Sequence, residues 1–310
     1  MPLIVTLSLN PTLDLSTETP EVLPGQKTRC ATPRQDPGGG GVNVARVARV
    51  LGASSAVVFP SGGPAGDALQ TLLAAEGTAF HAVPIAGQTR QSLTVQELCG
   101  EAREFRFVLP GPTLSAAEFE ACLAAVVARA RDGAAFVIAS GRLPPGAPED
   151  AFARLRAALP PGPRLIVDTS GEPLRLARGA FIVKPNLAEL EAVIGHALPD
   201  DAARAEAARR LIAAGVAERV LISLAEEGAL LVTADAAERF PALPVVVRTT
   251  VGAGDSAVAG LAVALAGGAT LRDAVRFAMA AGAAALLRPG TQLCLREDVE
   301  RLAGMTVPAG

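Results

Sequence analysis

Short apolar runs alternate along the chain with longer stretches of helical period. Residues 4–9 are almost continuously apolar, which marks a strand buried on both faces of a sheet. Further strands are expected at 56–60, 79–84, 135–139, 164–167, 181–183, 220–223, 228–232 and 239–247. Between them the helical period predicts helices over 44–51, 67–76, 148–159, 201–214, 257–266 and 273–287. Ser115 and Glu118 have the spacing of a capping box for another helix ending near Arg131, and Asn186 caps one that follows a strand ending at Lys184. Strands alternating with helices in this way predict an α/β fold around a mostly parallel sheet.

Two stretches break the rhythm. Residues 15–37 carry no helical period, and 90–98 with 103–108 alternate like half-exposed strands. The expectation is therefore one α/β domain over residues 1–310, with a discontinuous small sheet inserted at about 15–37 and 88–110 as a lid or an oligomer contact.

Composition narrows the function. The formal net charge is -3 and no basic block occurs, which argues against nucleic-acid binding by bulk charge. Cys30, Cys99, Cys122 and Cys294 have no paired spacing, so neither a metal site nor a disulfide framework is indicated, and a reducing cytoplasm is expected. The first residues read as a strand rather than a signal peptide, and the apolar runs 257–269 and 278–287 are too short to span a bilayer. Lys27 and Lys184 are the only lysines among 28 lysines and arginines, which suggests places where a compact ammonium suits better than a planar guanidinium.

The candidate chemistry centres on Thr249-Thr250-Val251-Gly252-Ala253-Gly254-Asp255-Ser256. An apolar strand over 244–248 is expected to run into a glycine turn and then into a buried helix. Such a turn aims several N–H groups at one point beside the positive end of the helix. Asp255 in the first helical turn adds a carboxylate, and anion-binding amides beside a base suit phosphoryl transfer to a hydroxyl. Gly254-Asp255-Ser256 also resembles the nucleophile motif of a group of serine hydrolases, but the only histidines, His81 and His196, both lie upstream. Gly38-Gly39-Gly40-Gly41-Val42-Asn43 opens a helix with no strand immediately before it, and departs from both dinucleotide and P-loop fingerprints. Asp14 is expected just past a strand end, where open α/β sheets bind ligands. Asn186 and Glu189 lie three apart on one helix face; they suit Mg²⁺ or its waters, or a plain cap with a surface carboxylate.

Taken together, Gly38–Asn43, Lys184-Pro185-Asn186 with Glu189, and Val251–Asp255 resemble, in order, the ribokinase-like (PfkB) sugar kinase family. Within it the similarity is to the ribokinase-type 6-phosphofructokinases, supported by residues 37–46, Thr89-Arg90-Gln91, residues 105–111 and Thr291-Gln292-Leu293-Cys294. The resemblance implies a three-layer αβα sandwich with a small β-sheet lid that forms a dimer contact. It implies transfer of the ATP γ-phosphoryl to a sugar hydroxyl, with Mg²⁺ and in some members K⁺. Carried over, Asp255 is the base, and Gly252, Ala253 and Gly254 stabilise the transferring phosphoryl. Asp14, Gly39, Gly40, Asn43 and Ser140 face the sugar. Lys27, Arg29, Arg90 and Arg106 meet its phosphate. Lys184, Asn186, Ser223, Gly228 and Gly254 hold ATP, and Asn186 and Glu189 organise Mg²⁺. The implied substrate is fructose 6-phosphate, with fructose 1-phosphate or tagatose 6-phosphate as alternatives and a non-catalytic sugar-phosphate sensor as the remaining class. Three positions depart from the family pattern. Arg142 replaces serine in Ser-Gly-Ser-Leu-Pro, which bears on sugar preference. Ala225 replaces glycine after Leu224, in the turn toward adenine. Arg288 stands by the cation loop, where its charge is expected to take the place of K⁺.

Overall fold

Alternate residues of the central strands enter opposite layers, and this makes the main sheet the middle of a three-layer stack. The computed structural model describes residues 3–99, 103–288 and 292–305. Its first part runs β1 (Leu3–Leu7), β2 (Thr12–Thr19), β3 (Arg34–Gly38), α1 (Gly40–Val50), β4 (Ser54–Ser61), α2 (Gly63–Ala75), β5 (Ala79–Pro84), β6 (Arg90–Glu97), β7 (Glu104–Val108) and α3 (Ala116–Ala130). Then come β8 (Ala134–Ser140), α4 (Ala151–Ala158), β9 (Arg164–Asp168), α5 (Glu172–Leu176), β10 (Ile182–Val183), α6 (Leu187–Ile194) and α7 (Asp201–Ala213). The chain continues through β11 (Val220–Ser223), β12 (Ala229–Val232), β13 (Ala237–Phe240), α8 (Ala253–Ala266), α9 (Leu271–Leu286) and α10 (Arg296–Ala303).

Nine strands form the main sheet in the order β13-β12-β11-β10-β9-β8-β1-β4-β5. All neighbours are parallel except β12, which runs antiparallel to both β11 and β13. On β8, Val137 and Ala139 join a core with α3, α4 and α7, while Phe136 and Ile138 join one with α1, α8 and α9. Both faces are thus covered, and the strands read as continuous apolar runs for that reason. The βα crossovers leave the C-terminal strand ends on one edge, where Ser140 ends β8, Asp168 ends β9 and Ser223 ends β11.

The four-stranded small sheet has the order β3-β2-β6-β7. β2 and β6 pair in parallel from Thr12 opposite Arg90 to Thr19 opposite Glu97. It is more regular than the sequence indicated. Asp14 does not sit in a turn past β1 but on β2 itself, and β3 runs directly into the glycine stretch that opens α1. The polar composition of these strands, exposed on one face, hid their period.

The strand expected over 244–248 does not form. Residues 241–249 are irregular, with Val246 78% and Val247 56% exposed. Pro241 and Pro244 lack the N–H that a ladder requires, and β13 ends before them at Phe240. Of the apolar residues in this segment, Leu243 and Val245 pack, partly buried, against the core of α8 and α9. The short helices α5 and α10 carried too few periodic positions to be expected.

Candidate functional site

α8 starts from a glycine because its entry demands one. Gly252 precedes the helix at φ 74°, a left-handed backbone that other residues rarely adopt. It supplies no side-chain cap, and the first helical bond is donated by the Ser256 N–H to the Gly252 carbonyl at 2.8 Å. The N–H groups of Ala253, Gly254 and Asp255 therefore remain at the positive end of a helix of 14 residues. Ser256 is completely buried on the inner face, while His81 and His196 are exposed, so the hydrolase arrangement is not formed.

Beside this turn lies a cleft of about 300 Å³. Gly39, Gly40, Asn43, Gly252 and Asp255 line it from the main body, and Thr12, Asp14, Arg90, Ser92, Arg106 and Phe107 from the small sheet. Five elements, β2, α1, β6, β7 and α8 with its glycine turn, meet here, and they bring all the sugar-facing positions expected except Ser140. Ser140 is buried behind the wall. A Cβ on Gly40 would lie 2.4 Å from the Ser140 hydroxyl and 2.9 Å from the Gly141 nitrogen, so only glycine lets α1 approach β8 this closely.

Two carboxylates in the cleft titrate well above the usual carboxylate range. Burial pushes Asp255 up to about 6, helped by the charges of Asp168 and Asp14 and opposed by the Asn43 hydrogen bond and Lys184. The Asn43 Nδ2 donates to Asp255 Oδ2 at 2.9 Å. Burial also raises Asp14 to about 6; Asp36 adds to the shift, while a hydrogen bond from Thr12 and the charges of Arg90 and Arg106 oppose it. Arg90 donates through Nε and Nη2 to the Asn10 carbonyl at 3.4 and 3.2 Å. Burial and the nearby charge of Arg142 lower its pKa against the pull of Asp14, and it stays a cation. Arg142 itself is exposed.

A second group of residues adjoins the turn from below. Lys184 is 5% exposed, and its Nζ lies 3.1 Å from Asp168 Oδ1. The same Nζ is 3.5 Å from where a Cβ on Gly254 would be, which places an ammonium under the amides of the turn. Burial is the largest single influence and disfavours this charge, but the charge and hydrogen bond of Asp168, with the charges of Glu189 and Asp255, together outweigh it, and the pKa rises. Asn186 and Glu189 close a capping box: Asn186 Oδ1 accepts from the Glu189 N–H at 2.8 Å, and Glu189 Oε2 from the Asn186 N–H at 2.9 Å. Glu189 keeps a second oxygen, and no set of three or more His, Cys, Asp or Glu side chains suited to a metal occurs among the described residues. One carboxylate beside an ammonium fits an Mg²⁺ ion that arrives with nucleotide phosphates and keeps its waters. Ser223, the last residue of β11, pairs with Asn186 in a parallel backbone bridge.

Other expected positions are not brought together. Lys27 and Arg29 lie on the exposed segment between β2 and β3 and do not line the cleft of their own chain. Gly228, at φ 101°, ends a tight turn packed against the Phe240 carbonyl. Ala225, where the family pattern has glycine, nevertheless adopts φ 49°, the only positive φ of a non-glycine among the described residues. The turn thus keeps the left-handed backbone that glycine allows more readily. Arg288 donates through Nη2 to Gln292 Oε1 at 2.9 Å, while its buried Nε has no partner among the described residues. The loop residues 289–291 lie outside the described residues. Asp168 was missed by sequence reasoning, although its place after an apolar strand is the signal that had been applied to Asp14.

A model of the pfkB family of carbohydrate kinases matches residues 4–298. The ATP-dependent 6-phosphofructokinase isozyme 2 of Mycobacterium tuberculosis is 46% identical over 306 residues, covering 97% of this chain and 88% of the relative. A 1-phosphofructokinase of Xanthomonas campestris is 38% identical over 287 residues, covering 89% of this chain and 88% of that one. The Escherichia coli phosphofructokinase-2 bound to fructose 6-phosphate superposes with a TM-score of 0.88 at 38% identity, over 98% of each chain. The same protein in complex with potassium gives a TM-score of 0.91, also at 38% identity and over 98% of each chain.

Proposed function

The chain belongs to the pfkB family of carbohydrate kinases, and from that premise we propose that it transfers the γ-phosphoryl group of ATP to the 1-hydroxyl of fructose 6-phosphate, giving fructose 1,6-bisphosphate. The observation that carries the reading is a cleft with Asp255 and the glycine turn on one wall and Arg90 and Arg106 on another. A base beside N–H groups suits a hydroxyl that becomes phosphorylated, and two guanidiniums suit a phosphate already present.

Asp255 takes the proton of the 1-hydroxyl as its oxygen bonds to the γ-phosphorus and the bond to the β-phosphate oxygen breaks. ADP leaves and the proton stays on the carboxylate until it is lost to water. The Gly252, Ala253 and Gly254 amides hold the charge on the transferring oxygens. Asp14 and Asn43 orient the sugar hydroxyls, and Lys184 draws the triphosphate toward the turn. Asn186 and Glu189 would hold Mg²⁺, which neutralises phosphate charge when bound.

Arg142 bears on the choice of hexose, because its charge reaches Arg90. The test is kcat/KM with fructose 6-phosphate, fructose 1-phosphate, tagatose 6-phosphate and fructose, with and without K⁺. A strong preference for fructose 6-phosphate is expected, and preference for another phosphorylated hexose would move the assignment while keeping the mechanism. Arg288 follows the C-terminal end of α9, whose Leu286 carbonyl accepts from the Arg248 N–H near the glycine turn. There it supplies a fixed charge, so turnover should not require K⁺.

The small sheet is a lid and, on this reading, a homodimer contact. Leu98, Phe107 and Val108 on it are each more than half exposed, at 56%, 52% and 62%. A partner's lid would also bring Lys27 and Arg29 to the cleft that their own chain leaves without them. Lys27→Ala should raise KM for fructose 6-phosphate about tenfold or more with little change in KM for ATP, as expected for loss of a charge-assisted hydrogen bond. Sedimentation at the assay concentration checks the dimer; a fully active monomer would refute it.

A further inference from the structure

Asn43 faces Asp255 with an amide, and an amide can present either its NH₂ or its oxygen. The first stabilises the carboxylate charge and the second repels it. The orientation is decided from behind the cleft. α1 places Arg46 three residues after Asn43, on the same helix face. Arg46 is 5% exposed and all of its donor nitrogens are engaged. Nη1 donates to Asn43 Oδ1 at 3.4 Å and to the Pro37 carbonyl at 2.8 Å. Nε and Nη2 donate to the two carboxylate oxygens of Glu76 at 2.7 and 2.5 Å. With its oxygen turned to Arg46, Asn43 can offer only Nδ2 to Asp255 Oδ2, as it does at 2.9 Å.

We infer that Arg46 is a positioning residue for the proton-accepting carboxylate: it fixes the Asn43 amide so that an N–H points at Asp255, with Glu76 anchoring the guanidinium and Pro37 tying it to the small sheet. The inference rests on the reading of Asp255 as the base. Four acceptors, two of them on one carboxylate, match a planar guanidinium; an ammonium has three donors and cannot satisfy them together. The relay joins α2, whose C-terminal end carries Glu76, to α8, which carries Asp255. It also ends on β3 of the lid, so movement of that strand is felt at the base. Asp168, Lys184 and Asp14 face Asp255 from β9, from the segment after β10 and from β2. None of them is a hydrogen-bond partner of Arg46, so releasing Asn43 leaves their fields in place and removes one donor from the carboxylate.

The test is the pH profile of kcat/KM for fructose 6-phosphate in the wild type, Arg46→Met, Arg46→Lys and Glu76→Gln, with folding checked by thermal melting. The wild type should lose activity as Asp255 is protonated below about pH 6. Arg46→Met should move that acid limb upward, so that its loss at pH 6 exceeds its loss at pH 8.5 by roughly three- to tenfold, as for a weakened hydrogen bond to a charged group. Arg46→Lys should restore part of the shift. Glu76→Gln should move the limb the same way by less; the Glu76 side chain is 31% exposed, so this variant decides the matter should Arg46→Met not fold. A buried ion pair that served only to hold α1 against α2 would lower activity by the same factor at every pH, and that result in both variants overturns the inference. A wild type without an acid limb removes the Asp255 reading itself, whereas a wild-type limb that the variants leave unmoved removes only the relay.

Discussion

An Asp255→Asn enzyme is expected to bind ATP and fructose 6-phosphate much as the wild type does and to lose about 10²–10⁴-fold in kcat, the usual contribution of a positioned base. Asparagine has nearly the same shape and still meets the Asn43 amide, so the loss would report proton acceptance rather than packing. Turnover and equilibrium binding of both substrates check this; unchanged turnover would remove the base assignment.

The same substitution should stabilise the fold at neutral pH. Burial raises Asp255 from 3.8 to about 6, so the folded state keeps its proton where the unfolded chain has lost it. Stability therefore rises as pH falls from above 6 toward 4, the reverse of an ion-paired carboxylate, and Asp14 behaves alike. At pH 8 the wild type holds both groups charged in a partly dehydrated cleft. Removing the charge of Asp255 should return stability on the order of 2–3 kcal/mol, the free-energy equivalent of so large a rise in pKa. A variant that melts higher and turns over far more slowly is the signature of a site whose charge costs stability.

The main sheet was legible because strands buried on both faces leave unbroken apolar runs, and the glycine turn because a helix entry at φ 74° requires glycine at position 252. The lid was legible only as a break in the rhythm. Its strands carry Arg, Gln, Thr and Glu on exposed positions, and the eight-residue pairing of β2 with β6 joins segments about 80 residues apart. Proline misled the reading of 244–248 in the opposite direction: the run is apolar, but it has no ladder to join. Site residues announced by local backbone demands, such as Gly40, Asn186 and Asp255, could be found one at a time. Arg46 could not, because it matters through Glu76, a partner distant in sequence; Asp168 carried the strand-end signal of Asp14, but its pairing with Lys184 shows only in the folded chain. Lys27 and Arg29 were grouped with Arg90 and Arg106 by charge and lid position, and only the folded chain separates the two pairs.

Lys184→Met should cost more than the loss of a phosphate contact, and it should fail in a way that identifies the cause. The ammonium is 5% exposed and pairs with Asp168 at 3.1 Å. Methionine would leave Asp168 dehydrated and unpaired, a change that typically costs about 3–5 kcal/mol. The uncompensated Asp168 would also press harder on Asp255, whose pKa already rises through that neighbour and is lowered by Lys184. The acid limb of activity should consequently move upward at the same time as KM for ATP rises. Adding Asp168→Asn removes the orphaned charge, so the double variant should recover most of the stability while remaining inactive with ATP at any pH. Lys184→Arg should not rescue activity, because the ammonium lies only 3.5 Å from the Cβ position of Gly254 and a guanidinium would push into the turn. Melting temperature separates the two roles from turnover: recovery of both in the double variant would show that Lys184 serves only to neutralise Asp168, whereas recovery of stability alone assigns the ammonium to the triphosphate.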